Sequence, residues 1–179
     1  TKILGESGFI NYAKQGYFEA MIVRYHNVYG PNMGFRHVIP HLVERFKNNE
    51  SPFLIYGNDQ TRSFNYIEDA VIGTVLAVEK GSDQEIYHVG DMDEISIETL
   101  TKFVGNLMNF RGDYEFAPTF PGSVSRRCPD ITKAKNDLNY NPNTSWEKGV
   151  TKTVQWYTEY LRDVTTPHES FYDQHGITK

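Results

Sequence analysis

Two spacings of apolar residues share this 179-residue chain. Short continuous runs, Met21-Ile22-Val23, Phe53-Leu54-Ile55-Tyr56 and Ile86-Tyr87-His88-Val89, alternate with stretches where apolar residues recur every three or four positions. The runs predict strands and the recurrences helices. Residues 1–15 read as a helix that Gly16 ends as a C-cap. The run from 20 to 26 is continuous rather than alternating, as in a parallel strand covered on both faces. Val38, Ile39, Leu42, Val43 and Phe46 follow at helical spacing, with Pro40 acceptable only in the first turn.

Further on, Ser63–Ile67 reads as a short strand, and 68–79 as a helix with Val71, Val75 and Val78 on one face. Ser96 is the expected N-cap of a helix to about 108, with Glu98 in its first turn. Residues 113–117 read as a strand, 118–129 as a loop and 132–138 as a short helix. Thr144 and Glu147 predict a capping box for a last helix over about 145–162, which buries Trp146, Val150, Val154, Tyr157 and Leu161. The tail beyond Asp163 has no periodicity and is expected to be mobile or docked on a partner. Mixed β and α elements with a β-α-β passage mean an α/β fold. The chain opens mid-helix without a cap, which predicts a fragment of a longer protein.

Composition narrows this picture by exclusion. Hydrophobic residues at 39% and charged residues at 23% fit a globular chain. The net charge of −5 argues against nucleic acid or an anionic membrane as a partner. Cys128 is the only cysteine, so no internal disulfide and no cysteine-rich metal site can form. No apolar run approaches the ~20 residues of a membrane span and no signal peptide is present, so a reducing, cytoplasmic setting is expected.

The candidate chemistry sits in a few places. Arg24-Tyr25-His26-Asn27-Val28-Tyr29-Gly30-Pro31 is a strand that ends in polar and aromatic side chains and closes in a turn. Open α/β sheets present ligand sites at such strand ends, and an ordinary strand end with locally paired Arg and His is the competing reading. Arg62 follows the Gly57-Asn58-Asp59 turn, which would hold its guanidinium fork for phosphate; pairing with Glu68 or Asp69 is the alternative. Lys2 and Glu6 have the i,i+4 spacing of a solvated ion pair. His37 and His41 share that spacing but lack the glutamate of a zinc-protease helix, so no metal site is expected. No dinucleotide-binding glycine motif, phosphate-binding Walker loop or Gly-x-Ser-x-Gly occurs.

In their order along the chain these segments resemble the extended short-chain dehydrogenase/reductases, in the branch of NAD-dependent nucleotide-sugar epimerases and dehydratases. Thr1-Lys2-Ile3-Leu4-Gly5-Glu6 is similar to the end of that family's Tyr-x-x-x-Lys helix, with Lys2 as its lysine. Arg24 to Pro31 is similar to Arg-x-x-Asn-x-Tyr-Gly-Pro, and Gly57 to Asp69 to Gly-x-x-x-Thr-Arg-x-Phe-x-Tyr-x-x-Asp. His37-Val38-Ile39-Pro40, Tyr87-His88-Val89-Gly90, Ser96-Ile97 and Pro129-Asp130-Ile131 continue the series to about residue 160.

The resemblance implies the C-terminal part of a Rossmann-type doubly wound sheet plus a smaller mixed α/β substrate-binding domain. Residues 1–30 and 61–90 would complete the NAD-binding domain, and 31–60 and 91–179 would build the nucleotide-sugar lobe. It implies hydride chemistry with NAD at a sugar carbon, as a 4-epimerase first, with 4,6-dehydratase or UDP-glucuronate decarboxylase as alternatives. A non-catalytic sugar-nucleotide-binding or interaction protein is the reading from another class. By the resemblance Lys2 is catalytic and, with Tyr25, contacts the cofactor. Asn27, His37, Val38, Arg62 and Arg127 would contact the substrate. A homodimer through the helix at Thr1 is expected, and this chain alone is expected not to turn over substrate.

Overall fold

The computed structural model of the protein describes residues 1–119 and 122–163, so the expectation for the tail beyond Asp163 lies outside the described residues. Along the chain come helix α1 (Lys2–Lys14), strands β1 (Ile22–Tyr25) and β2 (Val28–Tyr29), and helix α2 (Val38–Lys47). Strands β3 (Phe53–Tyr56), β4 (Thr61–Ser63) and β5 (Asn65–Tyr66) precede helix α3 (Ile67–Lys80). Strands β6 (Ile86–Val89) and β7 (Glu94–Ser96), helix α4 (Ile97–Leu107), and strands β8 (Tyr114–Ala117) and β9 (Arg126–Arg127) follow. Helices α5 (Thr132–Leu138) and α6 (Trp146–Asp163) close the described chain.

Two compact units result. Thr1–Val28, Ser63–Glu94 and Cys128–Asn143 form the first; Tyr29–Arg62, Ile95–Arg127 and the chain from Thr144 form the second. The expected division placed 128–143 with 91–179. They pack with the first unit instead, because Ile131, Ala134, Leu138 and Tyr140 share its core with Ala70, Ala77, Tyr87 and Val89.

In the first unit β1 and β6 pair in parallel, from Ile22 opposite Ile86 to Tyr25 opposite Val89. β1 is only half-buried, with Tyr25 exposed, rather than covered on both faces. α1 ends as expected, with Gly16 at φ 78° and its N–H donating to the Ala13 carbonyl. In α3 the valines at 71, 75 and 78 do share a face, but it is the exposed one. Ala70, Gly73 and Ala77 form the buried face. Small side chains win there because β6 and Tyr140 come so close. A Cβ at Gly73 would lie 2.7 Å from Val89 Cγ1 and 2.9 Å from Tyr140 Cε2.

In the second unit β3 and β8 pair in parallel, Phe53 opposite Tyr114. α2, α4 and α6 enclose a core of Ile39, Leu42, Val43, Phe46, Leu100, Val104, Val150, Val154 and Tyr157. Phe46 stacks on Phe53 at 3.9 Å between ring centroids. Arg45 lies over the Phe53 ring and donates to Glu50 (2.7 Å) and the Leu54 carbonyl (2.8 Å). Of the residues expected buried in α6, Val150, Val154 and Tyr157 are so, while Trp146 and Leu161 are half-buried.

Ser96 caps α4 as expected, accepting from Thr99 N–H at 2.9 Å. α6 begins at Trp146, and Ser145 Oγ accepts from Lys148 N–H at 3.4 Å at its start. Thr144 is buried. The segment read as one strand at 63–67 is divided into β4 and β5, and the expected loop 118–129 contains β9. No helix among the described residues is long and apolar enough to cross a membrane.

Candidate functional site

The first unit places Tyr25 and Asn27 at the carboxyl end of β1, the end where open α/β sheets bind ligands, while Lys2 stands in the first turn of α1 and lines a cavity with Ala20, Ile22 and Val23. Successive strand residues point to opposite faces. Arg24 reaches α1, donating to Glu6 at 2.9 and 2.5 Å. Tyr25 reaches α3, its hydroxyl 2.8 Å from Thr74 Oγ1. Lys2, on α1, and the Tyr25 ring therefore lie on opposite faces of β1. Glu6 pairs with Arg24 rather than with Lys2, contrary to the i,i+4 expectation. The Arg24 hydrogen bond holds the Glu6 carboxyl below the usual carboxylate range, and Glu6 raises Arg24 in turn.

Asn27 follows His26 at φ 41°, a left-handed conformation that asparagine tolerates better than most residues. Its amide nitrogen donates to the Ser63 carbonyl (2.8 Å), and its own carbonyl accepts from Asn65 N–H (3.2 Å). Asn65 is buried and accepts from Tyr140 O–H (3.2 Å), which also donates to the Gly90 carbonyl (3.1 Å). Beside Asn27, Ser63 Oγ and Asn65 Nδ2 are buried without partners among the described residues. Burial pushes the Tyr140 hydroxyl far above the ordinary tyrosine value, so it stays a donor. At the same strand ends His26 Nε2 lies 2.7 Å from His88 Nδ1, with the rings stacked at 4.8 Å. Which imidazole donates and which accepts is set by their tautomers.

The second unit places His37, Val38, Arg62 and Arg127. His37 is the exposed N-cap residue of α2, and Val38 is its half-buried first residue. β4 and β9 pair in parallel with Arg62 opposite Arg127, so both side chains leave the same face. Thr61 N–H donates to the Ser125 carbonyl at 2.9 Å and sets that register. Arg62 pairs with neither Glu68 nor Asp69. Its Nη1 donates to the carbonyls of Thr61 (2.7 Å) and Ser125 (3.2 Å), and its Nη2 to Gln60 Oε1 (3.0 Å) and the Val124 carbonyl (2.7 Å). Burial, and next the Arg127 charge, lower its pKa from the ordinary arginine value. No group of three or more His, Cys, Asp or Glu among the described residues is placed to hold a metal ion.

Known proteins resemble this chain in sequence and fold. The model of the NAD dependent epimerase/dehydratase family matches residues 1–90. The chain belongs to that family. Among its relatives is the UDP-N-acetyl-alpha-D-glucosaminuronate decarboxylase of Bacillus cytotoxicus, 34% identical over 172 residues, which cover 90% of this chain and 53% of that protein. The human dTDP-D-glucose 4,6-dehydratase is 28% identical over 89% of this chain and 47% of its own length. A crystal structure of the Bacillus cereus UDP-glucuronic acid 4-epimerase, in complex with UDP-glucuronic acid and NAD, superposes with a TM-score of 0.80. It is 28% identical and covers 89% of this chain and 51% of that one. The chain thus spans about half the length of the curated relatives it matches. Structural neighbours in the family carry the Rossmann-type α/β fold expected from the resemblance.

Two features of this family member escaped the motif reading. The His26–His88 contact joins strand ends far apart in sequence, so only the parallel register reveals it. Gln60 is 7% exposed and touches Arg62, Thr119 and Ser123. It had a readable signal: it stands two residues before Arg62 at the edge of a strand, which places both on one face.

Proposed function

We propose that the protein modifies a nucleotide sugar with NAD through a transient keto-sugar, as a UDP-sugar 4-epimerase. The observation that carries this reading is the Arg62–Arg127 pair, together with family membership. Two guanidiniums lie opposite each other in parallel register, and neither has a carboxylate within ion-pair reach among the described residues. Side-by-side cations without a counter-ion suit an anion with oxygens on two centres, as in the diphosphate of a nucleotide sugar.

The residues of the first unit fit the cofactor in part. Lys2 is exposed, has no carboxylate partner among the described residues, and rides on a helix tied to β1 by Glu6 and Arg24. Such an ammonium suits ribose hydroxyls, and its charge favours the phenolate of a tyrosine one turn earlier, which this reading places before Thr1. The Tyr25 ring, engaged with Thr74 on the other face of β1, does not join it. When bound, NAD supplies a reversible acceptor for hydride from the sugar. Asn27 keeps its side-chain oxygen for a ligand donor, and His37 and Val38 would line the nucleotide side.

In this reading the first unit completes the NAD-binding domain and the second builds the sugar-nucleotide lobe. A homodimer through α1, which exposes Ile3, Leu4, Phe9 and Tyr12, and a cytoplasmic setting belong to it as well. This chain by itself would not turn over substrate. Decarboxylation of a UDP-uronate is the second reading. The 34% identical decarboxylase and the Arg127-Cys128-Pro129-Asp130-Ile131 segment favour it.

The test is to incubate the intact protein and NAD with UDP-, dTDP- and GDP-sugars and to follow products by mass and sugar analysis. An epimer of unchanged mass supports the first reading, loss of carbon dioxide the second, and loss of water a dehydratase. Absence of both turnover and binding with all of them refutes the proposal. In the same protein Arg62→Ala is expected to weaken nucleotide-sugar binding by about 1.5–3 kcal/mol, the worth of hydrogen bonds to a charged group. Unchanged affinity would assign Arg62 to structure.

A further inference from the structure

We infer that Gln60 is a positioning residue for Arg62: it orients the guanidinium without neutralising it, and so sets the affinity for a diphosphate. The inference rests on reading Arg62 as the diphosphate contact.

Gln60 is fixed at both ends. Its backbone N–H donates to the Gly57 carbonyl (3.0 Å), and its own carbonyl accepts from Ile97 N–H (2.9 Å). Its amide is nearly saturated: Nε2 donates to Thr119 Oγ1 at 2.6 Å, and Oε1 accepts from Ser123 O–H at 2.9 Å and Arg62 Nη2 at 3.0 Å. Gly57 makes room for this. At φ +64° it needs glycine for its backbone, and a Cβ there would fall 2.8 Å from Gln60 Cδ. A buried amide with three side-chain partners has one low-energy placement, because any other leaves polar atoms unsatisfied.

The chemistry of the acceptors matters as much as their geometry. Four Arg62 N–H groups point at uncharged oxygens: three carbonyls and the Gln60 amide. The fork is therefore held in place while its full positive charge stays available, and the Nε–H finds no acceptor among the described residues. A carboxylate at position 60 would hold the fork equally well and cancel that charge.

Gln60→Glu in the intact protein separates orientation from charge, with inorganic pyrophosphate as the binding probe. Pyrophosphate affinity is expected to fall about tenfold or more. With nucleotide sugar, KM should rise by a similar factor while kcat stays within about twofold, the pattern of lost ground-state binding. Ser123→Ala, at an exposed residue, removes one partner of the amide and should weaken pyrophosphate about two- to threefold. Wild-type affinity in Q60E, with R62A weakened, overturns the inference. Wild-type affinity in R62A overturns the reading of Arg62 beneath it. If Q60E fails to fold, S123A decides by the same criterion.

Discussion

Gly73→Ala pits two well-understood effects against each other inside the first unit. In a solvated helix interior the change would stabilise by about 1 kcal/mol, because alanine loses less backbone entropy than glycine. Gly73, however, faces inward between Ala70 and Ala77. The new methyl would meet Val89 Cγ1 at 2.7 Å, Tyr140 Cε2 at 2.9 Å and Val89 Cγ2 at 3.1 Å. Val89 cannot retreat without disturbing the ladder that pairs it with Tyr25. Nor can Tyr140 retreat without lengthening the hydrogen bond that its single O–H shares between Asn65 Oδ1 and the Gly90 carbonyl, worth about 1 kcal/mol. Overpacking of a tight core costs about 1–3 kcal/mol, and the strained hydrogen bonds add to it. The net expectation is a loss of about 1–2 kcal/mol, measured by urea unfolding of the intact protein. Val89→Ala removes two of the three close atoms, so G73A/V89A should be less destabilised than the sum of the single variants by about 1 kcal/mol. A G73A protein as stable as the wild type, or strict additivity in the pair, would refute this account of the α3–β6 contact.

Two further outcomes are expected. Ser96→Ala removes the oxygen that accepts from Thr99 N–H and should cost about 1 kcal/mol in thermal or urea unfolding; a loss below the error of the measurement would contradict the cap. Burial, and then the Arg45 charge, hold the His41 pKa below the ordinary histidine value. A group depressed in the fold stabilises above its unfolded pKa of about 6.5, and that stability is lost as pH falls through the folded value. The stability profile should therefore decline on going acid of about pH 6.5. His41→Gln should flatten that part, and an unaltered slope would assign the decline elsewhere.

What could be read in the sequence was local. Gly16 ends α1 and Ser96 starts α4 because a left-handed C-cap and a side-chain N-cap need only neighbouring residues. The continuous run before Arg24 marked a parallel strand for a similar reason. The errors came where distant parts of the chain compete. Glu6 had Lys2 at the right helical spacing, yet took Arg24, whose fork reaches it from β1. The α3 valines formed a plausible apolar stripe, but the close approach of Val89 and Tyr140 gave the inward face to Ala70, Gly73 and Ala77. β9 is too short to carry any periodicity, and it exists because β4 offers it a ladder. At the candidate site the same division holds. The motif order singled out Arg62 and Arg127, while their side-by-side register and the Gln60 amide needed coordinates.

The proposed reading of Arg62 as a ligand contact, rather than Arg24, rests on how the fold answers each charge. Arg24 and Arg45 each spend their fork on a carboxylate, Glu6 at 2.5 Å and Glu50 at 2.7 Å. Their charge is answered within the fold, and the Glu6 hydrogen bond raises the Arg24 pKa accordingly. Arg62 shows the opposite sign, lowered by burial and by Arg127. Among the described residues nothing anionic answers it. Holding a partly buried guanidinium beside a second one is unfavourable, and carbonyl and amide oxygens offset that only in part. A fold selected for stability alone would place a carboxylate there, as it does at Glu6 for Arg24 and Glu50 for Arg45. The uncompensated pair is what a site would keep if the missing charge arrives with a diphosphate. Q60E supplies that charge from within, so it should make Arg62 resemble Arg24: firmly held, and of little use to a ligand.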